Sequence, residues 1–148
     1  AKIQYQEFKS VIVRPANVYG RFDNFDNPNA MVVTSLIGKA MRDKKIVLDN
    51  KGAQQYRDFI NAKDVADGMI KAIEEMPDYP VRLCSGIDVT IKELAEIISK
   101  YTGKPIRYIP LKDQVLGDKR RVMEKNWNNP NNISLDKGIK EVIDFVRK

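Results

Sequence analysis

Residues 10–29 read SVIVRPANVYGRFDNFDNPN, an apolar run that breaks into a polar loop. Val11, Ile12 and Val13 are β-branched and consecutive, which predicts a strand over 10–14 buried on both faces, as in a parallel sheet. Pro15 has no amide hydrogen and is expected to end the ladder. The loop that follows, to about residue 30, carries Asn17, Tyr19, Gly20, Arg21, Asp23, Asn24, Asp26 and Asn27. Open α/β sheets bind ligands beyond the carboxyl ends of such strands. The same spacing also fits an ordinary strand exit with solvated turn residues.

Working outward, residues 1–9 place Ile3, Tyr5 and Phe8 at helical spacing, but nine residues do not hold a helix alone; they read as the last turns of something longer. Downstream, Met31, Val32, Leu36, Ile37, Ala40 and Met41 predict a helix over 30–43 with Asn29 as its N-cap and Arg42, Lys44 and Lys45 at its carboxyl end. Short strands are expected at 46–48, 56–60, 81–84 and 105–110. Between them, Lys63 to Glu75 reads as a helix capped by Asn61, with Val65, Ala66, Met69, Ile70 and Ile73 on one face. Thr90 and Glu93 form a capping box. The helix they open, with Ile91, Leu94, Ala95, Ile97 and Ile98, ends at Gly103. Residues 111–132 are irregular and polar. Ser134 caps a last helix through Ile139, Val142, Ile143 and Val146. The order is that of an α/β protein with short strands and about four helices.

The 148 residues are 43% hydrophobic and 31% charged, as in an ordinary globular domain. No apolar run reaches the roughly 20 residues of a membrane span, which argues against a membrane partner. One cysteine, Cys84, excludes an internal disulfide and fits a reducing, cytoplasmic setting. The sequence has no histidine, so the commonest metal ligand and general base is missing, and no metal site is assigned. The net charge of +6 suits a phosphorylated small molecule, or a surface merely coated with lysine. Lys and Arg are scattered without interleaved aromatics, which argues against nucleic acid.

Two kinds of catalytic machinery do not occur. The glycines never fall at the spacing of a phosphate-cradling loop, and there is no nucleophile elbow. Tyr5 and Lys9 have the spacing of a helix-borne acid/base pair, but a strand is expected one residue later, so the pair is set aside as chance. No catalytic residue is assigned. Anion binding remains. Arg14, Arg21, Arg57, Arg120 and Arg121 could each fork onto phosphate oxygens. Arg57 is the strongest, because it opens a strand after a glycine-containing turn. Arg14, tight against an apolar run, is expected to pair with a carboxylate inside the fold.

The blocks RPANVYG (14–20), GAQQYRDFINAKDVADGMIKAI (52–73), GDKRRVM (117–123) and SLDKGIKEVIDF (134–145) together resemble the second half of an extended short-chain dehydrogenase/reductase. This is the family of NAD(P)-dependent nucleotide-sugar epimerases and dehydratases. YGRFDNFDNPNAMVVTSLIGKA (19–40) is similar to its GDP-fucose synthase branch. The resemblance implies the C-terminal part of a Rossmann-type enzyme. Residues 1–29 would be the end of the Rossmann portion and a substrate loop, and 30–148 the substrate-binding portion. It implies a nucleotide-sugar partner and NAD or NADP in the intact protein. This chain alone is expected to hold no cofactor and to be inactive, since the family's Gly-rich loop and Tyr-x-x-x-Lys have no counterpart at matching positions.

Residue by residue, Asn17 matches the Asn that meets the substrate diphosphate and the cofactor end. Arg57 matches the Arg that binds the diphosphate, and Arg120 or Arg121 a later Arg on phosphate or ribose. Val32 and Lys39 fall where the family's substrate helix lies. Arg21 stands where the family has Pro, Glu124 where it has Asp, and the segment after Glu124 is short. An alternative reading is a non-catalytic domain that self-associates, because Val11 to Val13, Arg57 to Ile60 and Val81 to Cys84 want sheet neighbours and an unpaired edge favours oligomers.

Overall fold

Parallel pairing dominates the molecule, and each parallel pair joins strands far apart in sequence, as crossovers through helices and long connections require. The structure is a computed structural model and describes residues 9–27, 29–110 and 117–148. Tyr5, and with it the helical spacing of the first eight residues, lies outside the described residues. Strand β1 (Val13–Pro15) pairs with β6 (Val81–Leu83), β2 (Asn17–Tyr19) with β5 (Phe59–Asn61), and β3 (Ile46–Asp49) with β8 (Ile106–Ile109). Strand β4 (Tyr56–Arg57) sits between β7 (Val89–Thr90), antiparallel, and β9 (Arg120–Arg121), parallel. Helices α1 (Val32–Arg42), α2 (Ala62–Glu75), α3 (Ile91–Thr102) and α4 (Leu135–Val146) complete the α/β pattern.

The first strand departs from its expected course. Pro15 does not end the sheet; it ends one pairing. The Ala16 amide still donates to the Leu83 carbonyl at 2.9 Å, and the Asn17 amide then turns to the Asp58 carbonyl at 3.2 Å. The chain thus passes from β6 to β5 across one residue, and Asn17–Tyr19, expected as loop, is strand β2. Nor is β1 buried on both faces: Arg14 and Pro15 are exposed, as is Ile12 just before them. Arg14 pairs with no carboxylate among the described residues. In the same way the strand expected over 56–60 is two strands broken at Asp58.

Two apolar clusters hold the elements. The larger packs α1, α3 and α4 against β3 and β5 through Leu36, Ile37, Ile46, Phe59, Leu94, Ile98 and Ile143. The smaller gathers Ile60, Val65, Ala72, Val81 and Leu83 under α2. Helix α2 buries a narrower face than its pattern implies. Val65, Gly68 and Ala72 face inward, whereas Met69, Ile70 and Ile73 are 40%, 58% and 63% exposed. The reason is close approach: a Cβ on Gly68 would stand 2.9 Å from a Leu83 methyl, so the small-residue side of the helix meets the sheet.

Most caps are where the sequence puts them. Asn61 Oδ1 accepts from the Lys63 amide at 2.9 Å, and Thr90 and Glu93 close their box reciprocally. Gly103 takes φ +68° at the end of α3, and the Ser134 hydroxyl accepts from the Lys137 amide at 3.4 Å. Asn29 is the exception. Helix α1 starts after Met31 with no side-chain cap, and the Asn29 amide donates to Asn27 Oδ1 instead. The loop before α1 is anchored rather than merely solvated. The Thr34 hydroxyl donates to Asp23 Oδ2, and Arg42 donates to the Phe25 carbonyl at 2.6 Å. At the start of α2, buried Asp64 accepts from the amides of Asn132 and Ile133 at 3.0 and 3.1 Å, tying the entrance of α4 to α2.

Candidate functional site

The change of partner at Ala16 opens a cleft. A cavity of about 280 Å³ lies at the carboxyl end of β1, lined by Pro15, Ala16, Asn17 and Asp58 on one side and Arg121, Val122 and Met123 on the other. This is the position that an open α/β sheet offers to a ligand. Asn17 stands in its wall with one amide hydrogen committed: Nδ2 donates to the Asp58 carbonyl at 2.7 Å. Its Oδ1 and second amide hydrogen take no partner among the described residues. A carboxamide so placed can still accept one group and donate to another.

The arginines divide. In the parallel ladder Arg57 is opposite Arg121 and Tyr56 opposite Arg120, so Arg57 and Arg121 share a face and Arg120 takes the other. Arg120 is spent on Asp88, with contacts of 2.6 and 3.1 Å, and that carboxylate pushes its guanidinium pKa further up. Arg121 faces the cavity with no carboxylate partner among the described residues. Arg57 does not line the cavity itself. Its guanidinium donates to the carbonyls of Tyr56 (2.7 Å) and Asp118 (3.0 Å) and to Gln55 Oε1 (2.9 Å). All three acceptors are neutral, so its positive charge stays uncompensated beside Arg121. The same segment is stapled down by Gln55 Nε2 to the Gly117 carbonyl and by the Tyr56 amide to the Lys119 carbonyl. Two unpaired cations beside a carboxamide suit a diphosphate better than a single phosphate.

Val32 and Lys39 lie apart from this cleft. Val32 packs against the larger apolar cluster, and Lys39 is exposed in the last turn of α1. Arg21, in the Pro position of the resemblance, stacks its guanidinium over Phe22 with 5.7 Å to the ring centroid and belongs to a different hollow. Sequence reasoning missed Asp58, Val122 and Met123. An acid in the apolar run around Phe59 was the available signal for Asp58, since a carboxylate that is 1% exposed must be heavily hydrogen-bonded. Nothing in GDKRRVM marks which residues reach the cleft.

The pyrophosphate of a dinucleotide would sit on the free amides of a helix entered through a Gly-rich turn. Among the described α-helix entrances, only that of α1 lacks a side-chain cap, and no Gly-rich turn precedes it. Here the entrances of α2 and α3 are closed by the side chains of Asn61 and Thr90.

Short parallel strands joined through helices, with a cleft at the strand ends, define an α/β protein of the open-sheet class. A profile of the NAD-dependent epimerase/dehydratase family matches residues 2–81, and the chain belongs to that family. It is 26% identical to a GDP-L-colitose synthase of Yersinia pseudotuberculosis over 94% of its own length and 48% of that protein. It is 31% identical to a protein named putative GDP-L-fucose synthase 2 of Arabidopsis thaliana, over 69% of this chain and 32% of the other. Among solved structures it resembles the UDP-glucose 4-epimerase of Thermotoga maritima, solved with UDP-glucose. The TM-score is 0.78 at 22% identity, over 93% of this chain and 45% of that one, a likeness of fold. The chain therefore spans at most about half the length of these relatives.

Proposed function

We propose that this chain is the nucleotide-sugar-binding portion of an NAD(P)-dependent epimerase, dehydratase or reductase, and that its ligand is a GDP-sugar. The observation that carries the reading is the cleft holding Asn17 and Arg121, with Arg57 uncompensated beside it. The names of the sequence relatives favour the guanosine series. Hydride transfer needs a positioned nicotinamide and a proton donor. The described residues supply neither, so the chain by itself binds and does not turn over. Calorimetric titration with GDP-fucose, UDP-glucose and NADPH tests this. GDP-fucose is expected to bind, and NADPH is not. Arg121→Ala should weaken GDP-fucose by about tenfold, as for a lost charge-assisted pair, while Arg120→Ala, already neutralised by Asp88, should change it less than twofold. No binding, or equal losses in the two variants, overturns the reading.

A second reading, self-association, is favoured by the exposed row Met69, Ile70 and Ile73 and by β1, which pairs with β6 alone among the described residues. Sedimentation would show a concentration-dependent dimer, and a monomer throughout would reject it.

A further inference from the structure

Asp58 ties one wall of the cleft to the exit of β6 with two different groups. Its main-chain carbonyl accepts from Asn17 twice, from the backbone amide at 3.2 Å and from Nδ2 at 2.7 Å. Its carboxylate accepts from the Ser85 amide (2.9 Å), the Ser85 hydroxyl (2.7 Å) and the Gly86 amide (2.8 Å) at the exit of β6. The residue is 1% exposed and sits where the chain breaks between β4 and β5. The bond from the Asn17 amide opens the β2–β5 ladder, and the carboxylate's three bonds hold the same residue from its other end.

We propose that Asp58 is a positioning residue that sets the orientation of the Asn17 carboxamide; the ligand side of this inference rests on the nucleotide-sugar reading. With Nδ2 turned to the Asp58 carbonyl, a flipped carboxamide would bring Oδ1 against another oxygen, which is repulsive. Asn17 is therefore held in one of its two amide orientations and offers the ligand one acceptor and one donor, a match for a hydroxyl next to a phosphate oxygen. The Asp58 carboxylate is engaged by three bonds within its own chain. Asp58 acts through Asn17, and pre-setting a side chain in this way lowers the ordering cost of binding.

The test has a ligand-free arm and a ligand arm, both on the 148-residue chain. In the free protein, NMR should show one Asn17 side-chain amide proton exchanging roughly tenfold slower than those of exposed Asn128. Ser85→Ala removes a single donor and should lift that exchange severalfold. Asp58→Asn, which sets an amide group against the Gly86 amide, should abolish the protection. In the ligand arm, Asp58→Asn should weaken GDP-fucose about tenfold in the parent chain and less than twofold when Asn17 is already Ala, because the cycle removes an effect that travels through Asn17. Ser85→Ala carries the same cycle if Asp58→Asn does not fold. Unchanged Asn17 exchange in folded variants overturns the proposal, as does an equal affinity loss with and without Asn17. If the parent chain binds no GDP-fucose, the nucleotide-sugar reading falls and the exchange measurements alone decide the role of Asp58.

Discussion

Tyr19 is 2% exposed, and its hydroxyl has no hydrogen-bond partner among the described residues. It fits because position 138 is glycine: a Cβ there would meet the Tyr19 oxygen at 2.2 Å and two ring carbons at 3.0 Å. Gly138→Ala should therefore cost about 1–3 kcal/mol by overpacking, measured by chemical denaturation, and Tyr19→Phe should return part of that loss. Burial also pushes the Tyr19 phenol up to about 12, against a lowering effect of the Asn61 side chain, which lies near the hydroxyl without hydrogen-bond geometry, and with the charges of Asp64 and Glu141 adding to the rise. An unfolded tyrosine gives up its proton near its ordinary value of 10.0. Between those two values the unfolded chain binds fewer protons than the folded one, so stability falls as pH rises through that window. The loss is about 2–3 kcal/mol by linkage. Urea unfolding from pH 9 to 12 should show this slope in the parent chain and a shallower one in Tyr19→Phe. Neither effect was legible in the sequence, because the glycine and the tyrosine it accommodates are far apart in the chain.

Helices and strands differ in how openly the sequence declares them. Helix ends are local, so Asn61, Thr90 with Glu93, Gly103 and Ser134 could be read from neighbouring residues and stand where expected. Strand ends depend on partners. Nothing within VRPANVY says that the chain leaves Leu83 for Asp58 at Ala16, and nothing within YRDFI says that Asp58 separates two ladders. Periodicity also overstated the buried face of α2, because a helix that approaches a sheet through Gly68 keeps its bulky residues outside. The α3 cap carries a test of its own. The Thr90 amide and hydroxyl hold the Glu93 carboxyl below its ordinary range. A carboxyl depressed in the fold contributes stability above its unfolded pKa and loses it as pH falls through the folded value. Thr90→Ala should cost about 1 kcal/mol at neutral pH. Glu93→Gln should flatten the acid limb of the thermal melting profile below pH 5.

At the scale of the whole molecule, the candidate site was half visible. Asn17 could be placed at a strand exit and the arginines named as anion ligands, but which of Arg120 and Arg121 meets the cleft follows only from the β4–β9 register and from Asp88. Two surfaces now compete to explain the chain, the cleft and the exposed face of α2. Replacing Ile70 and Ile73 by Lys should leave the melting temperature within a few degrees of the parent, as exposed substitutions do, and should remove any dimer seen by sedimentation without altering GDP-fucose affinity. A further consequence comes from Asp64. Its carboxylate holds the two amides through which the chain enters its last helix, so α4 cannot peel away while α2 keeps its first turn. Helix α4 should then exchange together with α2: deuterium uptake at the two should proceed as one cooperative event, and Asp64→Asn should split it into two.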